Sequence, residues 1–226
     1  MKEITKRILT AIFLLILLIL AFFYSFILII SLIIISIVAW IEFNSLISKI
    51  FVREKINSNL LITSLKALSL LYLFIFSGLI FEGLNQFEFK IKLNIIYLIS
   101  ICICSDIGGF VFGKFFKGKK LTKISPNKTI SGSLGSFVLP LVLIPIFYYI
   151  LSENFNNFID LTILSIGVSF FSQIGDLFIS YLKRRANVKD TGDLLPGHGG
   201  ILDRIDGILL AVPLGLILWK FLTMVS

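Results

Sequence analysis

Three acidic residues in the C-terminal part of the sequence have the type and spacing to hold a hard cation. Asp203 and Asp206 stand three apart in "ILDRIDG", so a helix would project both carboxylates from one face. Asp176 precedes them in "SQIGDLFISYLKRR". Carboxylate oxygens suit Mg²⁺, which keeps several waters and shares phosphate oxygens. The acids predict a metal site, and the alternative for Asp203 and Asp206 is compensation of a helix dipole.

Asp176 belongs to a polar stripe within an apolar helix. Gln173, Asp176, Ser180 and Lys183 recur at spacings of three and four, so they share one helical face. Asp176 would lie about 10 Å deeper along the axis than Lys183. A carboxylate at that depth normally faces a water-filled cavity or a partner charge. The stripe predicts a functional site, and the alternative is an Asp–Lys pair that holds two helices together.

The segment between these acids has the composition of a phosphate-binding turn. It reads "LLPGHGG", and its glycines allow positive φ and close approach of backbone N–H groups to an anion. His198 would donate to phosphate, act as a base, or have only a structural role in the loop. The nearby cations favour a polyphosphate ligand; they are Lys183, Arg184, Lys189 and Arg204.

A second polar loop reads "KISPNKTISGS" and follows another acid in an apolar run, Asp106. Ser125, Lys128 and Thr129 offer a point charge and two hydroxyl donors to a phosphate. The alternative is a basic loop that associates with the membrane surface. Together, the two loops predict metal-assisted phosphoryl or nucleotidyl transfer to a phosphate-rich substrate at the membrane.

The composition shows what must position these residues. Of 226 residues, 57% are hydrophobic and 15% are charged, and several apolar runs reach the roughly 20 residues that cross a bilayer. We expect an all-α, polytopic transmembrane bundle of about seven to eight spans. The run 8–43 is too long for one span and is divided into a hairpin near Tyr24. The other expected spans are 60–82, 93–113, 133–151, 158–182 and 207–224.

The distribution of charge predicts the orientation. With a cytoplasmic N-terminus, most of the 21 lysines and arginines fall in the N-terminal tail and in cytoplasmic loops 44–59, 114–132 and 183–206. The first apolar run is interpreted as a retained span and not as a cleaved signal peptide. The net charge of +8 favours anionic lipid or phosphate over nucleic acid. We expect one membrane domain, 1–226, with a helical scaffold in 1–92 and a catalytic region in 93–226.

The signature of this polar region resembles that of the phosphatidate cytidylyltransferases (CDP-diacylglycerol synthases). "GD" at Gly175 and Asp176 and "SPNKT" at 125–129 are also similar to that family. The signature positions are Ser180, Leu182, Lys183, Arg184, Lys189, Asp190, Gly192, Leu195, Pro196, His198, Gly199, Gly200, Asp203, Arg204, Ile205 and Asp206.

The resemblance implies that the phosphate of phosphatidate attacks the α-phosphorus of CTP, giving CDP-diacylglycerol and pyrophosphate in phospholipid biosynthesis. It implies Mg²⁺ at Asp176 and Asp203, with Asp206 and a second cation such as K⁺, a homodimer, and a bacterial-type inner (plasma) membrane with the active site cytoplasmic. The implied catalytic residues are Asp176, Lys183, His198, Asp203 and Asp206. The implied substrate-binding residues are Ser125, Lys128, Thr129, Ser180, Arg184, Lys189, Asp190, Gly199, Gly200 and Arg204.

The sequence departs from the family at one position, and two alternative functions are compatible with its polar groups. The family usually has an acidic residue where this chain has Ser131, so no acidic role is assigned there. An ion-coupled transporter would use Asp106 and Asp176 as intramembrane sites, although no inverted repeat is apparent. Another lipid-phosphate transferase would use the same polar groups with a different nucleotide or alcohol.

Overall fold

The computed structural model describes residues 12, 16–55, 58–86, 89–122, 125, 128–151, 158–194 and 199–225. Within these ranges the chain is helical, without a β-sheet, and one isolated bridge joins Lys120 and Thr129. Residues 16–23 are helical, and the elements that follow are α1 (Ser25–Glu54), α2 (Asn59–Leu84), α3 (Phe89–Phe116), α4 (Ile130–Val138), a 3-10 turn (Leu139–Leu143), α5 (Ile144–Leu151), α6 (Phe158–Ala186) and α7 (Leu202–Val225).

Six stretches of the described chain are helical, long and apolar enough to cross a membrane. They are Ser25–Glu54, Asn59–Leu84, Lys92–Phe116, Ile130–Ile150, Phe158–Ala186 and Leu202–Met224. The predicted all-α, polytopic class is confirmed, and the chain is an integral membrane protein. Tyr24 has extended backbone where the hairpin was predicted. Much of the segment before it lies outside the described residues, so the hairpin stays a prediction.

Several helices continue into the predicted polar loops. The helix α1 has 30 residues and a length of about 45 Å, more than the roughly 30 Å hydrocarbon core requires. The two long loops shorten to 117–129 and 187–201. Charged residues such as Lys, Arg and Glu favour helix once the chain leaves hydrocarbon. Three non-glycine residues with positive φ, Lys55, Lys117 and Asn187, directly follow α1, α3 and α6.

The chain divides into two compact units, and the first comprises residues 1–85 and 182–205. Here α1 and α2 are joined by a hydrogen bond of 2.6 Å between the hydroxyls of Ser36 and Ser77. The end of α1 also holds the C-terminal turn of α6. Arg53 donates to the carbonyl oxygens of Arg184 and Arg185, and the guanidinium of Arg185 pairs with Glu54. A cation at these carbonyls satisfies groups that a helix end leaves without an intrahelical partner.

The second unit comprises residues 86–181 and 206–226. In it, α3 and α4 touch through glycines: a Cβ atom at Gly135 would overlap Phe112 and lie 2.7 Å from the carbonyl oxygen of Gly108. Helices α6 and α7 run antiparallel, and their backbones approach each other about as closely as those of α3 and α4. A Cβ at Gly175 would lie 2.5 Å from the carbonyl oxygen of Asp206. Small residues that let helix backbones approach are typical of packing in membranes.

Candidate functional site

Asp203, in the first turn of α7, has both carboxylate oxygens occupied by donors from the first unit. Its Oδ1 lies 2.6 Å from Nζ of Lys183, and Oδ2 accepts the backbone N–H groups of Thr191 (2.8 Å) and Gly200 (3.2 Å). The carboxylate side chain is 7% exposed. The structure therefore brings together Lys183, Gly200 and Asp203, three of the residues predicted from the sequence.

Gly199, in the glycine-rich loop, lies directly against this carboxylate. Gly199 has φ of +80°, a conformation that favours glycine, and a Cβ there would lie 3.3 Å from Oδ2 of Asp203. Accepting an N–H from just before the helix is a capping interaction. Asp203 therefore helps to cap the start of α7, a hydrogen-bonding role distinct from the dipole compensation considered from the sequence. Its role as a metal ligand stays a prediction.

Glu42 is a site residue that the sequence predictions missed. It lies in α1 with 6% of its surface exposed. Its carboxylate accepts the hydroxyl of Thr191 (2.7 Å) and the backbone N–H groups of Ile201 (3.0 Å) and Leu202 (2.9 Å). Thr191 was missed as well, and its hydroxyl also lies 3.0 Å from Oδ2 of Asp203. Glu42 and Asp203 are thus linked through one threonine.

A signal for Glu42 is present in the sequence. It is the one charged residue in the apolar run 8–43. An acid in such a run predicts a buried partner or a functional site. That rule identifies Asp106 and Asp176, whereas Glu42 falls next to the predicted end of its span and so escapes it. No local pattern indicates Thr191, whose partner in α1 is 149 residues away.

The second unit contains another lysine–carboxylate pair. Lys128 forms an ion pair with Oδ2 of Asp176, and the hydroxyl of Ser180 donates to Oδ1 at 3.2 Å. The two charged side chains are 27% and 26% exposed. The bridge between Lys120 and Thr129 and a hydrogen bond of 2.8 Å from Leu121 N–H to the Lys128 carbonyl fix the chain at Lys128. Three predicted site residues are thus brought together here.

The hydroxyl residues of the "SPNKT" loop have local partners. Thr129 is the N-cap of α4, and its Oγ1 accepts the N–H of Gly132 at 3.1 Å. The carbonyl of Ser125 accepts the N–H of Lys128 at 3.1 Å. Ser131, where the family usually has an acid, donates its hydroxyl to the carbonyl of Lys117. These contacts shape the loop, and phosphate binding by Ser125 and Thr129 stays a prediction.

The remaining predicted residues are partly buried, exposed or outside the described residues. Asp206 is partly buried, and its Oδ1 accepts the N–H of Gly207 at 2.8 Å. His198 lies outside the described residues. The exposed charged residues of the predicted site are Arg184, Lys189, Asp190 and Arg204.

Asp176 and Asp203 offer oxygen donors of the kind that a hard cation accepts, and a metal ion bound to them stays a prediction. Among the described residues, no three acidic, histidine or cysteine side chains form a group that could hold a metal ion. Mg²⁺ commonly binds through only one or two carboxylates together with substrate phosphates. Asp176 and Asp203 each hold a lysine ammonium group. Each lysine would have to release its carboxylate before a metal ion could bind to that oxygen.

Comparison with known proteins gives a consistent result. A sequence model of the cytidylyltransferase family matches residues 47–222. The chain is 43% identical to the phosphatidate cytidylyltransferase of Rickettsia typhi over 129 residues, 53% of this chain and 56% of that protein. It is 38% identical to that of Bacillus subtilis over 143 residues, 62% and 53% of the two chains. The chain spans about half the length of the curated relatives it matches.

Proposed function

Because the chain belongs to the cytidylyltransferase family, we propose that it condenses CTP with phosphatidate to give CDP-diacylglycerol and pyrophosphate. An oxygen of the phosphatidate phosphate forms a bond to the α-phosphorus of CTP. The bond from that phosphorus to the bridging oxygen breaks, and pyrophosphate leaves with the electron pair. Two curated relatives, from Rickettsia typhi and Bacillus subtilis, carry the name of this activity.

One observation carries the proposal: two aspartates that resemble the family each hold a lysine. Asp203 of the signature pairs with Lys183, and Asp176 of the upstream "GD" pairs with Lys128. A lysine that pairs with a carboxylate can exchange that partner for a phosphate oxygen, which also binds ammonium groups as a point charge. The attacking phosphate is ionised near neutral pH, so the reaction needs no strong general base. Lys183 and Lys128 are therefore assigned to phosphate binding, and His198 is not required as a base.

Mg²⁺ is part of the proposal, with Asp176, Asp203 and Asp206 as the residues that would hold it and K⁺ as a second cation. When bound, the metal would neutralise the triphosphate and assist the departure of pyrophosphate. The chain's own contribution is to present carboxylates and lysines where an apolar protein meets headgroups. The other parts of the proposal are a cytoplasmic active site in a bacterial inner membrane and a homodimer.

The proposal is tested with the purified full chain, labelled CTP and phosphatidate, with and without Mg²⁺. We expect labelled CDP-diacylglycerol only when both substrates and the metal are present. Asp203→Asn should remove product formation, whereas Asp193→Asn, an exposed acid in the same loop, should retain it. Equal turnover with another nucleoside triphosphate would favour a different lipid-phosphate transferase, and full turnover by Asp203→Asn would overturn the assigned site.

A further inference from the structure

We infer that Glu42 is a positioning residue for the proposed reaction. It fixes the segment that presents Asp203 by accepting hydrogen bonds from both sides of the glycine-rich turn. The inference rests on the proposed function for its catalytic consequence. Its structural part concerns only contacts within the first unit, and those can be measured without turnover.

Glu42 is a buried carboxylate whose two oxygens both accept hydrogen bonds. Three donors converge on its two oxygens, from Thr191 before the glycine-rich turn and from Ile201 and Leu202 after it. Leu202 is the first residue of α7, so two of these donors are N–H groups that a helix start leaves without intrahelical partners. A carboxylate at a helix N-terminus is also stabilised by the helix dipole.

Two glycines of the signature leave the space that Glu42 occupies. A Cβ at Gly192 would lie 2.6 Å from Oε1 and 3.0 Å from Cδ of Glu42, which are its two nearest contacts. A Cβ at Gly200 would overlap Oε2 of Glu42 and the hydroxyl of Thr191. An acid on a distant helix therefore explains the absence of side chains at 192 and 200, and phosphate binding at Gly200 stays a prediction.

Thr191 connects Glu42 to Asp203. The single hydroxyl proton of Thr191 lies between Oε2 of Glu42 and Oδ2 of Asp203 and can be donated to only one of them at a time. The backbone N–H of Thr191 binds Asp203 in either case. Moving Glu42 would release Thr191 and the start of α7 together, and the Asp203–Lys183 pair would lose its fixed position.

The test compares Glu42→Gln, Gly192→Ala and the double variant. Gln keeps the shape but turns an NH₂ group towards groups that are donors, and the Gly192→Ala methyl displaces the same carboxylate. We expect kcat per folded enzyme to fall about 10- to 100-fold in each single variant, as for small displacements of reacting groups. The double variant should cost little more than the worse single one, because both changes disrupt one interaction.

Two matched controls should retain wild-type kcat. Glu54→Gln removes an acid from the same helix whose side chain pairs with Arg185 instead. Gly78→Ala adds a methyl group at a glycine where a Cβ atom would meet nothing within 4 Å. Wild-type kcat in Glu42→Gln, or fully additive losses in the double variant, would overturn the positioning role.

Hydrogen–deuterium exchange separates this inference from the proposed function. In Glu42→Gln, the amides of Thr191, Ile201 and Leu202 should exchange faster, while those in the middle of α2 stay unchanged. If the wild-type chain makes no CDP-diacylglycerol, the proposed function fails, but faster exchange would still establish the tether. Unchanged exchange would overturn the tether. Should Glu42→Gln yield no folded protein, Gly192→Ala carries both measurements.

Discussion

Each of two lysine–carboxylate pairs places an ammonium group beside an acid that resembles one in the family. The pairs differ in burial: the Lys183–Asp203 side chains are 15% and 7% exposed, and the Lys128–Asp176 side chains are 27% and 26% exposed. A partly exposed pair contributes little to folding, commonly below about 1 kcal/mol. The Lys128–Asp176 pair is therefore the better place to separate a functional charge from a structural one.

Lys128→Met is expected to lower product formation strongly and stability only slightly. Methionine keeps most of the aliphatic stem but removes the ammonium group from Asp176 and from any phosphate. The free energy of unfolding should fall by less than about 1 kcal/mol. Turnover and thermal denaturation in detergent measure the two effects on one sample. Lys120→Met, an exposed lysine of the same loop, is the control, and a large loss of stability with normal turnover would contradict the functional role.

Thr191→Val tests the hydroxyl that links two carboxylates. Valine has a similar shape, so the change removes a hydrogen bond from Glu42 or Asp203 and leaves the backbone N–H of Thr191 on Asp203. A buried acceptor without its donor costs about 1–3 kcal/mol. The melting temperature should fall by several degrees. Thr191→Ser should restore most of the loss, and no difference between the valine and serine variants would show that the hydroxyl is unimportant.

At the scale of helices, glycines decide how closely α3 approaches α4. Gly135 lies against Phe112 and the carbonyl of Gly108, leaving no room for a methyl group. Membrane helices pack through such small residues because lipid supplies no hydrophobic drive for their association. The contact positions the start of α4, which Thr129 caps directly after Lys128.

Gly135→Ala should therefore destabilise the second unit by about 1–3 kcal/mol, the range for an extra methyl group in a well-packed contact. The expected result is a lower melting temperature in detergent. In Gly78→Ala the same methyl meets nothing within 4 Å, so the better helix propensity of alanine should leave stability equal or raised. Equal melting temperatures for the two variants would contradict the close α3–α4 contact.

The membrane-spanning helices could be predicted from the sequence because the thickness of the hydrocarbon core sets the length of the apolar runs. Runs of about 20 apolar residues located six helical stretches, but their ends were missed where residues such as Lys117 and Asn187 take positive φ without being glycine. The acids Asp176 and Asp203 were identified by type and spacing. Their partners were not, because contacts such as Glu42 to Thr191 depend on tertiary structure between segments far apart in the chain.

At the scale of the whole molecule, much of the positive charge lies in the polar segments between apolar helices and in the helix ends that border them. The formal net charge is +8. The loop 117–129 contains five lysines, and the loop 187–201 contains Lys189 and directly follows the three cations 183–185 at the end of α6. Basic loops remain on the cytoplasmic side during insertion. A substrate as anionic as CTP would also be attracted to them from that side. Both considerations predict that the two loops are reached from the cytoplasm.

Single cysteines test this orientation. Cys102 and Cys104 are first replaced by alanine, and cysteine is then placed at Lys119 or Lys189, both exposed. A membrane-impermeant maleimide should label both positions in inside-out vesicles and neither in right-side-out vesicles. Asn85→Cys, exposed between α2 and α3, should show the reverse, because that connection has few cations near it. Labelling of Lys119→Cys and Lys189→Cys from opposite sides would contradict the assigned topology, and with it a cytoplasmic location for both polar loops.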